Sequence, residues 1–236
     1  MSAILSIETA TNVCSVALSR NGQLLSLRES TVKNAHSSVL TKFIEETFTS
    51  AGMKSTEIDA VAVSEGPGSY TGLRIGIASA KGLCYALDKP LISVPTLKAM
   101  AAGMIDSVLG VRHPMLGALL CPMIDARRME VFSAVYSSGL EEVRETLAEI
   151  IDESSFSDIL QDHPVFFAGD GAEKCKPYLE GNENAHFLDD FVISARYMIR
   201  LAEEKFLSGS FENLAYFEPR YLKEFIAGKP RVKGLI

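Results

Sequence analysis

At 236 residues with 47% hydrophobic content, the chain is long enough for one large domain or two lobes of about 100 residues each, and its composition excludes a disordered polymer. A net charge of −7 argues against a protein that grips nucleic acid over its whole surface and confines any such contact to a local basic patch. The four cysteines, Cys14, Cys84, Cys121 and Cys175, are far apart and sit in apolar patterns, which reads as buried free thiols in a reducing cytoplasm.

The first residues run into an apolar strand without a basic n-region or a cleavage site, and no apolar stretch approaches the roughly 18–20 residues that span a bilayer. The chain is therefore expected in the cytoplasm, with no membrane partner. Residues 3–7 form a buried strand ending at Glu8, residues 14–19 a second, and residues 23–31 a third. Asn21-Gly22 between the last two is a type I′ hairpin signal. A strand, an acid, a tight turn and a hairpin resemble the first phosphate-binding hairpin of the actin-like ATPase fold. That turn usually reads Asp-x-Gly; here it reads Glu8-Thr9-Ala10. Without glycine at position 10 a phosphate approaches the backbone less easily, although Thr9, Thr11 and Asn12 retain donors.

His36 precedes a helix over 39–50, whose Leu40, Phe43, Ile44, Thr47 and Phe48 make one apolar stripe; Ala51-Gly52 ends it. A strand over 58–63 then leads into Gly66-Pro67-Gly68-Ser69-Tyr70-Thr71-Gly72-Leu73-Arg74-Ile75-Gly76. This is a strand, a tight turn and a helix over 72–87, capped by Ser69 or Thr71. Such a turn often receives phosphate, but this one lacks both the P-loop ending and the dinucleotide spacing. Gly72, Gly76 and Gly82 each weaken the helix by about 1 kcal/mol relative to alanine, so close packing is the expected reason for them.

A strand over 91–94 and a helix over 96–108 follow, then strands over 115–123 and 130–137. The first of these runs on into Ile124-Asp125. A shift of 117 residues pairs Ile7-Glu8 with Ile124-Asp125, Ala17 with Ala134, Leu18 with Val135 and Gly22 with Gly139, as two copies of one unit would. Residues 140–160 read as a strand and a helix. A strand over 165–168 enters Gly169-Asp170-Gly171, a helix follows over 172–179, and Ser194 caps a last helix ending at Ser208-Gly209. The basic segment Arg220, Lys223, Lys229, Arg231 and Lys233 reads as a solvated tail. Among His36, His113, His163 and His186 no pair has ligand spacing. Glu8 and Asp125 read equally well as cleft carboxylates and as turn formers.

Ile7-Glu8-Thr9-Ala10-Thr11, Cys14-Ser15-Val16-Ala17-Leu18, the Gly66–Gly76 block, Ile124-Asp125-Ala126-Arg127, Glu130-Val131-Phe132 and Glu218-Pro219-Arg220-Tyr221-Leu222 closely resemble the TsaB (YeaZ) family. The resemblance implies an α/β actin-like ATPase (ribonuclease H-like) fold of two lobes related by internal duplication. The expected lobes are residues 1–108 and 109–236, with the C-terminal segment able to return to the first. It implies a non-catalytic scaffold subunit acting with TsaD and TsaE to form N6-threonylcarbamoyladenosine at position 37 of tRNAs reading codons that begin with A. It further implies a homodimer when alone, tRNA contact only within the complex, and no cofactor. TsaD-like proteins carry a metal-binding His-x-x-x-His near His36; here the second position is Leu40, so no catalytic metal is expected. The expected partner interface is Leu40, Phe43, Ile44, Thr47, Gly72, Leu73, Gly76, Ile77 and Ala80. A vestigial nucleotide cleft is expected at Glu8, Thr9, Thr11, Asp125, Gly169 and Gly171. The rival readings are an actin-like ATPase or kinase, a glycoprotease-type metallopeptidase, and a tRNA binder using the basic tail.

Overall fold

The computed structural model describes residues 2–32, 35–110 and 117–223. Two five-stranded sheets are built from β1 (Ala3–Glu8), β2 (Cys14–Arg20), β3 (Gln23–Ser30), β4 (Ala60–Gly66) and β5 (Leu91–Pro95), and from β6 (Leu119–Asp125), β7 (Glu130–Ser137), β8 (Glu142–Ile150), β9 (Val165–Ala168) and β10 (Ala185–Phe187). The helices are α1 (His36–Ala51), α2 (Tyr70–Leu87), α3 (Thr96–Gly110), α4 (Ser157–Leu160), α5 (Ala172–Leu179) and α6 (Ile199–Leu207).

The strand orders are β3-β2-β1-β4-β5 and β8-β7-β6-β9-β10. Each sheet is an antiparallel three-strand meander extended by two parallel strands. The duplication expected from the sequence is therefore present. Its register differs in one respect. Glu8 stands opposite Ser15, but Asp125 stands opposite Val131, so the second hairpin loop is one residue shorter. The 117-residue shift holds for β2 and β7, where Ala17 and Ala134 both enter the central core and Leu18 and Val135 both face outward. It fails for β1 and β6, because a one-residue slip exchanges the two faces of a strand. The glycine match also fails. Asn21 and Gly22 both take left-handed conformations, as a type I′ turn requires, whereas in the second meander Leu140 does so and Gly139 does not.

Three cores follow from this arrangement. α1 and α2 cover the outer face of the first sheet, where Leu5, Ile7, Val16, Leu40 and Ile77 meet. α4 and α5 cover the outer face of the second, around Phe156, Phe167 and Cys175. The central core joins residues of both sheets to α3 and α6. α3 is apolar nearly all round, as a helix buried on several sides must be. Its Met100 lies over Gly169, and its Gly103 lies against the Tyr197 ring, which a Cβ would meet at 2.5 Å. The segment over 140–160 holds a longer strand and a single helical turn in place of the expected helix. The last helix is preceded by a 3-10 turn, Ala195–Met198, capped by Ser194.

Beyond α6 the chain runs back along the first sheet. Glu212 N donates to Leu91 O at 2.9 Å, and Arg220 N donates to Glu65 O at 2.7 Å. Lys229, Arg231, Lys233 and His113 lie outside the described residues.

Met100 is buried between the two sheets, so Met100→Ala should cost about 2–5 kcal/mol as a lower denaturant midpoint in one cooperative transition. Two separated transitions, or a loss below about 1 kcal/mol, would show that the central core does not couple the halves.

Candidate functional site

The Gly-Pro-Gly turn and the β1–β2 loop form one unit. β4 is apolar over residues 60–63 and ends at Gly66, whose φ of 114° excludes a side chain. Ser69 caps α2, its Oγ accepting from Gly72 N at 3.2 Å. Ser69 N in turn donates to Ala10 O at 2.6 Å. A Cβ would stand 2.3 Å from Ala10 O if built on Gly68, 2.1 Å from Thr9 O if built on Gly72, and 2.2 Å from Thr9 Oγ1 if built on Gly76. The glycines thus remove every Cβ from a seat that the loop occupies. Ser69 N and Gly72 N, donors that a phosphate could use, are turned onto the protein itself.

Within that loop Glu8 is fully buried. Its Oε1 accepts from Ala10 N at 2.6 Å, while Oε2 has no partner among the described residues. Burial pushes the carboxyl up to about 7, against the lowering effect of its bonds from Ala10, Ser64 and Thr9. Thr9 Oγ1 is likewise buried without a partner, and Thr11 Oγ1 accepts from Val13 N. His36 Nε2 lies 3.1 Å from Val13 O, which fastens the start of α1 to the same loop. Leu40 is buried one turn later. Among the described residues no three His, Cys, Asp or Glu side chains converge as a metal site requires.

Asp125, Gly169 and Gly171 form a separate group. Gly169, at φ 106°, lies against Met123 O, and Gly171 against Ile124 and Asp125 N. Asp170 Oδ1 accepts from Asp125 N at 2.9 Å, and burial raises its carboxyl above the usual range. Asp125 accepts from Lys174 of α5 and from Arg127 N. The register explains why Glu8 and Asp125 do not share a cleft. On β1, Leu5 and Ile7 face the outer core, so Glu8 falls with Ile4 toward the center; on β6, Cys121 and Met123 face outward, and Asp125 with them. The cleft expected from the sequence is therefore two groups on opposite faces of their sheets. A cavity of about 250 Å³ lies elsewhere, between Pro95 and Lys98 on one side and Leu201 and Lys205 on the other.

The interface residues expected from the sequence also need correction. Leu40, Thr47, Gly72, Leu73, Gly76, Ile77 and Ala80 are buried within the chain, and Phe43 and Ile44 are half-buried against its core. The helical spacing that singled them out is the spacing of an inward stripe. The outward face of α2 carries Ala78, Gly82, Tyr85 and Ala86, and a Cβ on Gly82 would meet nothing within 4 Å. Along one flank of α2 runs the C-terminal segment. Arg74 stacks on Tyr70 at 4.1 Å and its Nε donates to Tyr221 Oη at 2.9 Å, while Lys81 Nζ donates to Ala215 O and Phe217 O. Lone charges at 74 and 81 in an apolar helix were the sequence signal for that flank.

A family model described as TsaD, tRNA N6-adenosine threonylcarbamoyltransferase, matches residues 30–226. The chain is 31% identical over 238 residues to the tRNA threonylcarbamoyladenosine biosynthesis protein TsaB of Haemophilus influenzae, covering 96% of this chain and 95% of that protein. It is 32% identical over 232 residues to TsaB of Escherichia coli, with 96% of each covered. The solved structure of YeaZ from Pseudomonas aeruginosa superposes with a TM-score of 0.80 at 24% identity, over 94% of this chain and 100% of that one. The fold is the two-lobed actin-like one.

The buried Glu8 carboxyl makes stability depend on pH. Below its ordinary value of 4.5 it is protonated whether the chain is folded or not. Between 4.5 and about 7 the unfolded chain gives up the proton while the folded chain keeps it. Stability therefore falls as pH rises through that window, by about 3 kcal/mol in all. Glu8→Gln should unfold near the parent temperature at pH 4.5 and progressively above it toward pH 8; parallel melting curves across the range would refute the assignment.

Proposed function

Since the chain belongs to the TsaB family of tRNA threonylcarbamoyladenosine biosynthesis proteins, we propose that it is a non-catalytic subunit of the assembly that makes N6-threonylcarbamoyladenosine at position 37 of tRNAs reading codons that begin with A. TsaD supplies the transferase site and TsaE the ATPase. The observation that carries this reading is the glycine seat. Where an actin-like enzyme needs an open first loop to hold phosphate, residues Thr9 and Ala10 are pressed against the backbone of α2, and Glu8 is sealed beneath them. A carboxylate held near neutrality by burial is poorly suited to hold a metal–phosphate group. The assembly works in the cytoplasm and meets tRNA as a whole; alone, the chain pairs with a second copy. No helix among the described residues is long and apolar enough to cross a membrane.

The partner docks on the outward faces of α1 and α2. Ala78, Gly82 and Ala86 keep that face low, so another helix can approach closely, and Tyr85 offers an exposed aromatic anchor beside them. The inward glycines serve a different purpose, which separates two otherwise similar substitutions. Gly82→Leu replaces a helix-weakening residue in open space, so its unfolding temperature should equal or exceed that of the parent while capture of TsaD is lost. Gly76→Leu drives a side chain into Thr9 and should fail to fold. Undiminished capture by Gly82→Leu would overturn the docking face. Threonylcarbamoyl transfer by TsaD and TsaE that proceeds equally well without this chain would overturn the function.

A further inference from the structure

Arg127, at the end of the Ile124-Asp125-Ala126-Arg127 motif, and Arg128 after it have no part in the seat, the cores or the docking face. Arg127 and Arg128 take φ values of 71° and 52°, consecutive left-handed conformations that favour glycine and asparagine and are disfavoured for long side chains. The β2–β3 turn, where Asn21 and Gly22 take φ values of 50° and 74°, shows the residues that two consecutive left-handed conformations prefer. Between β6 and β7 two arginines hold such conformations. The turn is held from below. Ala126 N donates to Glu130 O at 3.0 Å and Arg127 N to Asp125 Oδ1 at 2.8 Å. Lys174 Nζ reaches Arg128 O and Glu130 O at 2.8 Å each, and Asp125 as well.

The acids around the tip are occupied. Asp125 pairs with Lys174 and Glu130 with Lys223, while Asp170, behind the strand end, accepts from Asp125 N. Both arginines are exposed, and neither guanidinium has a hydrogen-bond or ion-pair partner among the described residues. A backbone kept in an unfavourable conformation, fastened by a half-buried lysine and crowned by two guanidinium groups unpaired among the described residues, breaks a local rule in the way functional positions do.

We propose that the β6–β7 tip is a phosphate contact for RNA, with Arg127 and Arg128 each gripping phosphodiester oxygens of the tRNA backbone. This inference rests on the tRNA-modification role proposed above. The planar guanidinium fork matches the oxygens of a phosphodiester and stays charged at every physiological pH. Contacts of this kind position the RNA and carry no sequence preference. On a chain of net charge −7 a rigid basic tip concentrates the attraction at one place.

The test uses a variant that relaxes the turn while removing the charge: Arg127→Asn with Arg128→Gly, the pair found at the β2–β3 turn. The assembly of this chain with TsaD and TsaE is titrated with tRNA between roughly 0.05 and 0.2 M salt. In parallel, TsaD capture and thermal unfolding are measured. The variant should melt at or above the parent temperature and capture TsaD normally. It should bind tRNA ~10-fold more weakly at low salt, with a salt slope shallower by about 1.4. Unchanged affinity and slope would overturn the proposal. So would lost capture of TsaD with an unchanged slope, which would assign the tip to an acidic protein surface. If the parent chain itself fails to capture TsaD, the functional reading falls independently; the titration is then read on the chain alone, where equal slopes for parent and variant overturn this inference.

Discussion

The fold of the first half depends on the close approach between the Thr9–Ala10 loop and the start of α2. Three consecutive turns of chain, at Gly68, Gly72 and Gly76, present no Cβ to that loop, and the distances a Cβ would have to tolerate are between 2.1 and 2.3 Å. No rotamer change relieves contacts with backbone oxygen, so glycine is the only residue that fits at Gly68 and Gly72. The cost of glycine inside a helix, about 1 kcal/mol per position, is offset by the packing it permits. The same approach seals Glu8 and fastens His36 through Val13. In this protein the place where an actin-like nucleotide hairpin would open is a closed joint.

The two halves meet through helices rather than through each other's sheets. α3 leaves the first sheet at Thr96, whose Oγ1 accepts from Gly66 N, and passes between the sheets to lie over Gly169. The 3-10 turn and α6 fill the remaining space, and the chain then returns along β5 and α2. The Gly-Pro-Gly turn is therefore tied to both ends of the molecule: Gly66 contacts α3 through Thr96, and a Cβ on it would stand 2.7 Å from Arg220 O. Placing the C-terminal segment there leaves only part of α2 exposed, and that part carries small residues and one aromatic.

Duplication gave the two sheets one topology but not one chemistry. The second hairpin is a residue shorter, and because side chains alternate along a strand the acid at the end of β6 faces away from the direction taken by the acid at the end of β1. Glu8 becomes a buried group with no cation paired to it among the described residues. Asp125 becomes the half-exposed anchor of a lysine that holds the arginine tip. A single residue of loop length separates a sealed joint from a charged projection.

The sequence alone determined the strands of both meanders, α1 and α2, the type I′ turn at Asn21-Gly22, the doubled architecture and the family, because each rests on local periodicity, turn chemistry or a contiguous motif. Tertiary structure decided the rest. Helical spacing identifies an apolar stripe without saying whether it faces the chain's own sheet or a partner, and at Leu40, Leu73, Gly76 and Ile77 it faces the sheet. A glycine at every fourth position announces a close approach without naming what approaches; here it is Thr9, some sixty residues earlier in the chain. The face on which a strand-end acid lies depends on register, which the length of a hairpin loop sets and a residue-by-residue match conceals. Left-handed geometry at two arginines violates residue preference, so no preference could have foretold it; the bonds beneath them hold it in place, among them those of a lysine forty-six residues further along.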